Sequence, residues 1–177
     1  ARRAIAYERS VFVAGQGNWP DFRSASDPTE FMLSWCHGAP GILLSRHVFV
    51  AAGLADQQTA DELQIARAST LAALERLAGA PSPAHLCCGV LGLTAVLRID
   101  AVLGGDALAP LVPRAETLLI EQARRDGSYT FFSVDHGSLN LPGLLTGKAG
   151  VALALLEAGM GQRCLPQVLS AGLLGQG

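Results

Sequence analysis

Three of the chain's four cysteines stand at positions where thiol chemistry is possible. Cys36 lies in the stretch SWCHGAPG, and the adjacent Cys87 and Cys88 lie in LCCGVLG. Adjacent cysteines bridge each other only with a strained backbone, and the sequence shows no secretion signal, so a disulfide framework is disfavoured. A lone free cysteine is usually a small buried apolar residue, whereas grouped reduced cysteines are typical of metal binding or catalysis.

The cysteines occur within an internal sequence repeat that is marked by pairs of glycines. Three glycine pairs, each with two residues between its members, stand at Gly38/Gly41, Gly89/Gly92 and Gly147/Gly150. The first glycines of successive pairs are 51 and 58 residues apart, and an apolar run follows each pair. Longer amphipathic segments lie between the runs. Repeats of this length with two helices each predict stacked hairpins, so the predicted fold class is all-α, with about three hairpins.

The segment 59–78 is the clearest amphipathic helix. Thr59 with Glu62 three residues later predicts a capping box at its start, and Gly79 with Pro81 predicts its end. One face of this helix is predicted to carry Leu63, Ala66, Thr70, Leu74 and Leu77. The stretch 110–125 and the opening residues predict weaker helices of the same kind. The one strand-like run, SYTFFSV at 128–134, is predicted to lie in a loop.

The repeat brings the cysteines into register. CHG at 36–38 aligns with CCG at 87–89, and the third repeat has LTG at 145–147, which offers no ligand atom. Because equivalent positions of neighbouring hairpins lie close together, the three sulfurs should converge at the starts of two apolar helices, where the helix dipole favours thiolates. Zn²⁺ prefers tetrahedral Cys and His ligands, and a site with three protein ligands keeps a position open for chemistry. The residues themselves therefore predict a zinc site, of undefined purpose.

Several longer motifs in register give the chain a family resemblance. GNWPDFR (17–23), SWCHGAPGI (34–42), LCCGVLG (86–92) and PGLLTGKAGVALALLE (142–157), followed by LPQVL, resemble the lanthionine synthetase C-like cyclase domain. The greatest similarity is to the C-terminal domains of class II lanthipeptide synthetases. The resemblance covers nearly the whole chain and implies an α/α toroid, in which inner helices that begin at glycine pairs are ringed by outer helices. Residues 1–177 are then expected to be the C-terminal portion of the cyclase domain, with the dehydratase domain and the first cyclase helices before residue 1.

The same resemblance implies one Zn²⁺ ion held by Cys36, Cys87 and Cys88. The usual family motif has histidine where this chain has Cys88, although a subset of the family is similar in using three cysteines. Three thiolates donate more charge than two thiolates and an imidazole. We therefore expect the substrate thiolate to be more nucleophilic, and ring selectivity more relaxed, than with histidine at this position.

The function implied is the formation of lanthionine and methyllanthionine rings. A cysteine thiolate of a dehydrated precursor peptide adds to the β-carbon of dehydroalanine or dehydrobutyrine, closing a thioether, and the resulting enolate takes up a proton. The upstream dehydratase domain of the same chain is expected to prepare the peptide and to be the part that needs ATP and Mg²⁺. The family's acid/base histidine and its acidic partner are expected upstream of Ala1.

The four histidines of the chain are weaker candidates for the acid. His37 lies beside Cys36 but does not align with the family's catalytic histidine, so support of the metal ligand or packing is the favoured interpretation. His47 and His85 are interpreted as structural residues, and His136 as a loop residue that could line the mouth of the site.

Cys164 and Trp35 are interpreted without a direct role in chemistry. Cys164 has no partner at the same repeat position, so an ordinary cysteine is the preferred interpretation. Trp35 is interpreted as a core aromatic residue that could also wall the zinc pocket.

Two other functions were weighed against cyclisation. Asp21, Asp27 and Glu30 cluster before the first glycine pair and could suggest a glycosidase, but these types also serve turns and caps, and no second acid occurs at a comparable repeat position. The stronger alternative is a zinc-bearing toroid that binds thiols or peptides without cyclising them. The GNWPDFR segment favours the bacterial bifunctional synthetase.

Charge and hydropathy exclude other classes. The net charge is −2 and the pI about 6.1, with no basic stripe, so nucleic-acid binding is not expected. Mean hydropathy is +0.32, yet the longest apolar run, 86–97, is shorter than the roughly 18 residues of a membrane-spanning helix. The apolar helices are therefore predicted to be buried in protein, with no transmembrane segment and a cytoplasmic location.

Overall fold

A computed structural model describes residues 2–23, 30–104, 106–131 and 141–160, and within these ranges it is helical and without strands. The helices are α1 (Arg2–Ser10), α2 (Ala39–Ala51), α3 (Gln57–Leu77), α4 (Val90–Gly104), α5 (Leu111–Asp126) and α6 (Lys148–Met160), with a short 3₁₀ helix at Ala14–Gln16. The all-α prediction is confirmed. Of the strand-like run, residues 128–131 are irregular, and 132–134 lie outside the described residues.

The helices form two layers. In the inner layer α4 packs against α2 on one side and α6 on the other, while in the outer layer α3 covers α2 and α4 and α5 covers α4. Because α4 has neighbours on most sides, every residue from Val90 to Leu97 is buried. This explains why the inner helices lack an amphipathic period. The arrangement matches the inner and outer helices of an α/α toroid fragment.

The start of α3 differs from its prediction. Asp56, not Thr59, is the N-cap: its carboxylate accepts from the Thr59 backbone N–H at 2.9 Å, and the Thr59 hydroxyl accepts from the Asp56 N–H at 3.2 Å. Glu62, which was assigned to the capping box, is buried and accepts from Arg46 Nε at 2.8 Å and Arg9 Nε at 3.0 Å. The local pattern was misleading because Glu62 forms ion pairs with Arg46 of α2 and Arg9 of α1 instead of capping its own helix.

The remainder of α3 follows the sequence pattern. Ala66, Thr70 and Leu74 of the predicted face are fully buried, and Leu63 and Leu77 are half-buried. The helix ends at Leu77, just before the predicted stop signals. In the described part of the chain, no helix is both long enough and apolar enough to cross a membrane.

The glycine pairs mark the beginnings of the inner helices. Each helix starts directly after the first glycine of its pair, so the second glycine lies in the first turn instead of before the helix. At every one of these glycines a Cβ would meet the carbonyl oxygen of the residue six positions earlier: Met32 and Trp35 for the first pair, Pro83 and Leu86 for the second, Leu141 and Leu144 for the third. The preceding loop therefore folds closely over each helix start, which only glycine permits.

One loop uses a side chain in place of a backbone hydrogen bond. In the second and third repeats the N–H after the first glycine donates to the carbonyl seven residues earlier, Val90 to Pro83 and Lys148 to Leu141, both at 2.8 Å. In the first repeat the buried Asn18 amide bridges the equivalent groups. Its Nδ2 donates to Met32 O at 3.1 Å, and its Oδ1 accepts from Ala39 N at 2.8 Å. Asn18 thus fixes the loop that carries Cys36.

The glycine contacts predict opposite effects for two Gly→Ala substitutions. Gly92→Ala should lower the free energy of unfolding by about 1–3 kcal/mol, because the methyl would collide with the Leu86 carbonyl oxygen. The control is Gly159→Ala near the exposed end of α6, where a Cβ meets nothing within 4 Å, and it should be neutral or stabilising by up to about 1 kcal/mol. Urea unfolding followed by circular dichroism measures both. Equal midpoints for the two variants would contradict the close approach.

Candidate metal centre

The three predicted sulfurs lie together at the starts of α2 and α4. Cys36 Sγ is 3.3 Å from Cys87 Sγ and 3.6 Å from Cys88 Sγ, and the last two sulfurs are 3.4 Å apart. Cys36 is exposed and the other two are partly buried. The cluster therefore joins two successive hairpins and is open to solvent on the Cys36 side.

A closed turn presents Cys36. Ser34 and His37 exchange two backbone hydrogen bonds, of 3.0 and 3.1 Å, so that Trp35 and Cys36 form the tip immediately before α2. Trp35 is partly buried and packs against two clusters of buried apolar residues, one that includes Leu91 and one that includes Leu43. This agrees with its interpretation as a core aromatic residue. The tip residue Cys36 thus projects toward the second hairpin from a rigid base.

Backbone hydrogen bonds orient the other two cysteines. Cys87 N–H donates to Leu145 O at 2.8 Å, so the third repeat, which has no ligand side chain, holds the second repeat's ligand through its backbone. Cys88 N–H donates to His85 Nδ1 at 3.1 Å. Burial lowers the pKa of His85, which keeps this nitrogen free to accept. The structural role predicted for His85 therefore has a specific form: it positions Cys88.

Two thiols of this cluster, those of Cys87 and Cys88, resist ionisation. Burial raises the pKa of Cys87, and its close contacts with the Cys36 and Cys88 sulfurs raise it further. Burial likewise raises the pKa of Cys88. The helix dipole, expected from the sequence to favour thiolates, is thus outweighed at these two residues. A divalent cation is what would allow neighbouring sulfurs to ionise together.

The donor set fits zinc. Tetrahedral Zn²⁺ with Zn–S arms of ~2.3 Å separates its sulfurs by about 3.8 Å, and the observed spacings of 3.3–3.6 Å require only a small adjustment. Three soft sulfur donors suit Zn²⁺ better than Mg²⁺ or Ca²⁺. Within the described residues no fourth Cys, His, Asp or Glu joins this group. The three cysteines could hold one ion and leave one position for another ligand.

Polar side chains line the Cys36 side of the cluster. His37 Nδ1 is 3.0 Å from Cys36 Sγ, and Ser34 Oγ is 3.4 Å from the same sulfur. His37 Nε2 lies 4.0 Å from Asp21 Oδ2, and Arg23 binds the Asp21 carboxylate through Nε at 2.9 Å. This bond from Arg23 lowers the pKa of Asp21 to about 2. Asp21 therefore stays ionised over the working range of pH.

The other sequence candidates lie apart from the sulfurs or have other partners. His47 is buried and pairs with Asp100 at 2.8 Å, near the opposite ends of α2 and α4. The carboxylate of Asp21 is held by Arg23 and Glu30 is exposed, so neither supports a glycosidase pair. Asp27, His136 and Cys164 lie outside the described residues.

Sequence reasoning missed Ser34, Arg23 and the Leu145 carbonyl. Arg23 and Asp21 both belong to the GNWPDFR motif, whose density of polar residues before a ligand-bearing turn was an available signal. Nothing in the sequence could indicate the Leu145 carbonyl, since every residue carries one.

Comparison with known proteins agrees with this geometry. The family model described as lanthionine synthetase C-like protein matches residues 1–168. No curated protein and no solved structure matches the chain. A match over almost the entire length, together with inner helices that begin at glycine pairs and three converging sulfurs, places the chain in a defined group: it belongs to the lanthionine synthetase C-like family.

Proposed function

We propose that this protein is the zinc-dependent cyclase part of a bifunctional class II lanthipeptide synthetase. The observation that carries the proposal is the meeting of Cys36, Cys87 and Cys88, from two hairpins, at sulfur separations of 3.3–3.6 Å. Membership of the lanthionine synthetase C-like family supports a cyclase-type activity on peptides. Residues 1–177 would be the C-terminal portion of the cyclase domain, with a cytoplasmic location and an upstream dehydratase domain that uses ATP and Mg²⁺.

The chain's own residues would supply the binding surface for the peptide. Zn²⁺, when bound by the three cysteines, lowers the pKa of an incoming peptide thiol so that it reacts as a thiolate near neutral pH. Two exposed apolar side chains belong to segments that contact the cluster: Phe22 follows Asp21, and the Leu145 carbonyl accepts from the Cys87 N–H. We expect these two side chains to contact apolar residues of the bound peptide.

The reaction is a conjugate addition. The peptide sulfur forms a bond to the β-carbon of dehydroalanine or dehydrobutyrine, and the electron pair of the alkene moves to the α-carbon and its carbonyl as an enolate. A proton on the α-carbon completes lanthionine or methyllanthionine and replaces the proton that the thiol gave up, so the mass of the peptide does not change. The donor of that proton is proposed to be a histidine with an acidic partner, upstream of Ala1.

The alternative is a toroid of the same fold that binds thiols or peptides without cyclising them. The exposure of Cys36 is equally compatible with capture of a thiol. The two functions differ in one outcome, which is whether the captured thiol is permanently consumed.

Metal binding should depend on each of the three cysteines. The protein should bind one Zn²⁺, and Cys36→Ala, Cys87→Ala and Cys88→Ala should each weaken binding by more than about 100-fold, because even the loss of a ligand's supporting partner costs 10–100-fold. Competition with a chromophoric chelator measures the affinity. Cys164→Ala is the control and should bind as tightly as the unaltered protein. Undiminished affinity in Cys36→Ala would rule out a shared site.

Cyclisation should consume the thiol of a test peptide that contains one dehydroalanine and one cysteine. Incubated with the full-length protein that carries this sequence, the peptide should keep its mass but lose its reaction with an alkylating reagent after a denaturing quench. Cys36→Ala should slow this loss by at least about 100-fold, since the thiol is then not activated. If the peptide binds but every thiol can be alkylated after the quench, the non-cyclising alternative is correct.

Replacing Cys88 by histidine should slow cyclisation. An imidazole donates less charge than a thiolate, which makes the substrate sulfur less basic and therefore less nucleophilic. With a Brønsted dependence of 0.4–0.5, the rate should fall about threefold for each unit of lost basicity. Initial rates and the ring pattern on a substrate with several cysteines provide the measurement. Identical rates and identical ring patterns in both proteins would contradict the expected effect of the third thiolate.

A further inference from the structure

The His37 side chain folds back onto the sulfur of the preceding residue. Its Nδ1 lies 3.0 Å from Cys36 Sγ. The turn that carries both residues is closed by the two backbone hydrogen bonds between Ser34 and His37. The turn therefore holds the two residues in the geometry in which the ring reaches the sulfur.

A buried carboxylate faces the opposite edge of the imidazole. His37 Nε2 is 4.0 Å from Asp21 Oδ2, and the Asp21 side chain is only 4% exposed. Arg23 binds this carboxylate through Nε and through its backbone N–H, at 2.9 and 3.1 Å. The Asp21 backbone N–H donates to Glu30 O at 2.8 Å. The ring thus lies between the Cys36 sulfur on its Nδ1 side and the Asp21 carboxylate on its Nε2 side.

Both polar side chains of the turn converge on Cys36. Ser34 Oγ is 3.4 Å from the same sulfur that His37 contacts. A thiolate that binds a metal carries no proton, so it can only accept in these contacts. His37 Nδ1 must then be the donor. Hydrogen bonds to an anionic acceptor are stronger than neutral ones and draw charge from the acceptor atom.

We propose that His37 is a positioning residue of the metal centre, whose Nδ1–H donates to the Cys36 thiolate, with Asp21 and Arg23 as its support. The bond fixes the direction of the Cys36 sulfur and withdraws electron density from it. It offsets part of the additional charge that Cys88 donates in place of a histidine. This inference rests on the metal site of the proposed function, but it does not depend on cyclisation.

Cobalt substitution tests the role directly. Co²⁺ bound to thiolates gives a sulfur-to-metal charge-transfer band, whose energy falls when a sulfur loses a hydrogen-bond donor. His37→Phe keeps a planar ring but removes the donor, so the band should move to lower energy and Co²⁺ affinity should fall about 10–100-fold. Asp21→Asn should shift the band in the same direction by less. Glu30→Gln, an equal change of charge at an exposed position in the same segment, should leave the band and the affinity unchanged.

Each outcome bears on the inference. Weaker Co²⁺ binding by His37→Phe with an unmoved band would show that the ring only shapes the turn, and would overturn the proposal. An equal shift in Glu30→Gln and Asp21→Asn would overturn it in favour of a general charge effect. If His37→Phe loses its helical circular dichroism and is therefore unfolded, Asp21→Asn takes its place: a band shifted to lower energy supports the inference, and an unmoved band contradicts it. Failure of the unaltered protein to bind Co²⁺ would contradict both this inference and the metal site. A shifted band in His37→Phe, together with no cyclisation by the unaltered protein, would contradict only the cyclase proposal.

Discussion

The approach of a loop carbonyl to a glycine at the start of each inner helix determines where the thiols lie. In all three repeats this carbonyl belongs to the residue six positions before the glycine, and it occupies the space that a Cβ would need. The loop between them must then cross the end of the helix, and its last residues are the ligand positions. Since only glycine allows this approach, the placement of Cys36, Cys87 and Cys88 depends on residues that have no chemistry of their own.

The convergence of the sulfurs imposes a charge constraint on the centre. Burial raises the pKa of Cys87 and of Cys88, so the arrangement does not favour free thiolates despite its position at a helix start. Three sulfurs within 3.6 Å of one another can ionise together only beside a cation. A site of this kind is suited to hold a metal, and poorly suited to a mechanism in which one of its own cysteines attacks the substrate.

The sequence was sufficient to predict the features that depend on the spacing of the repeat and on the position of a residue within it. The spacing of the glycines predicted the inner helices, and the alignment of CHG with CCG predicted that the three sulfurs lie close together. What could not be predicted depends on contacts between distant segments. Glu62 matched a capping pattern but serves Arg46 and Arg9, so the cap falls to Asp56. The contact between His37 and Asp21 is of the same kind, because the loop that carries Asp21 reaches the turn only in the folded chain.

The third repeat shows how a ligand can be absent while its hairpin still belongs to the site. Its loop makes the same close contacts with Gly147 and Gly150 as the other loops make with their glycines. At the position of the cysteine it has Leu145, whose carbonyl accepts from the Cys87 N–H at 2.8 Å. Any residue could make this bond, so the side chain at 145 is not needed for it. The cysteine cluster therefore depends on three repeats, and the loop before α6 helps to fix the direction of Cys87 although it supplies no sulfur.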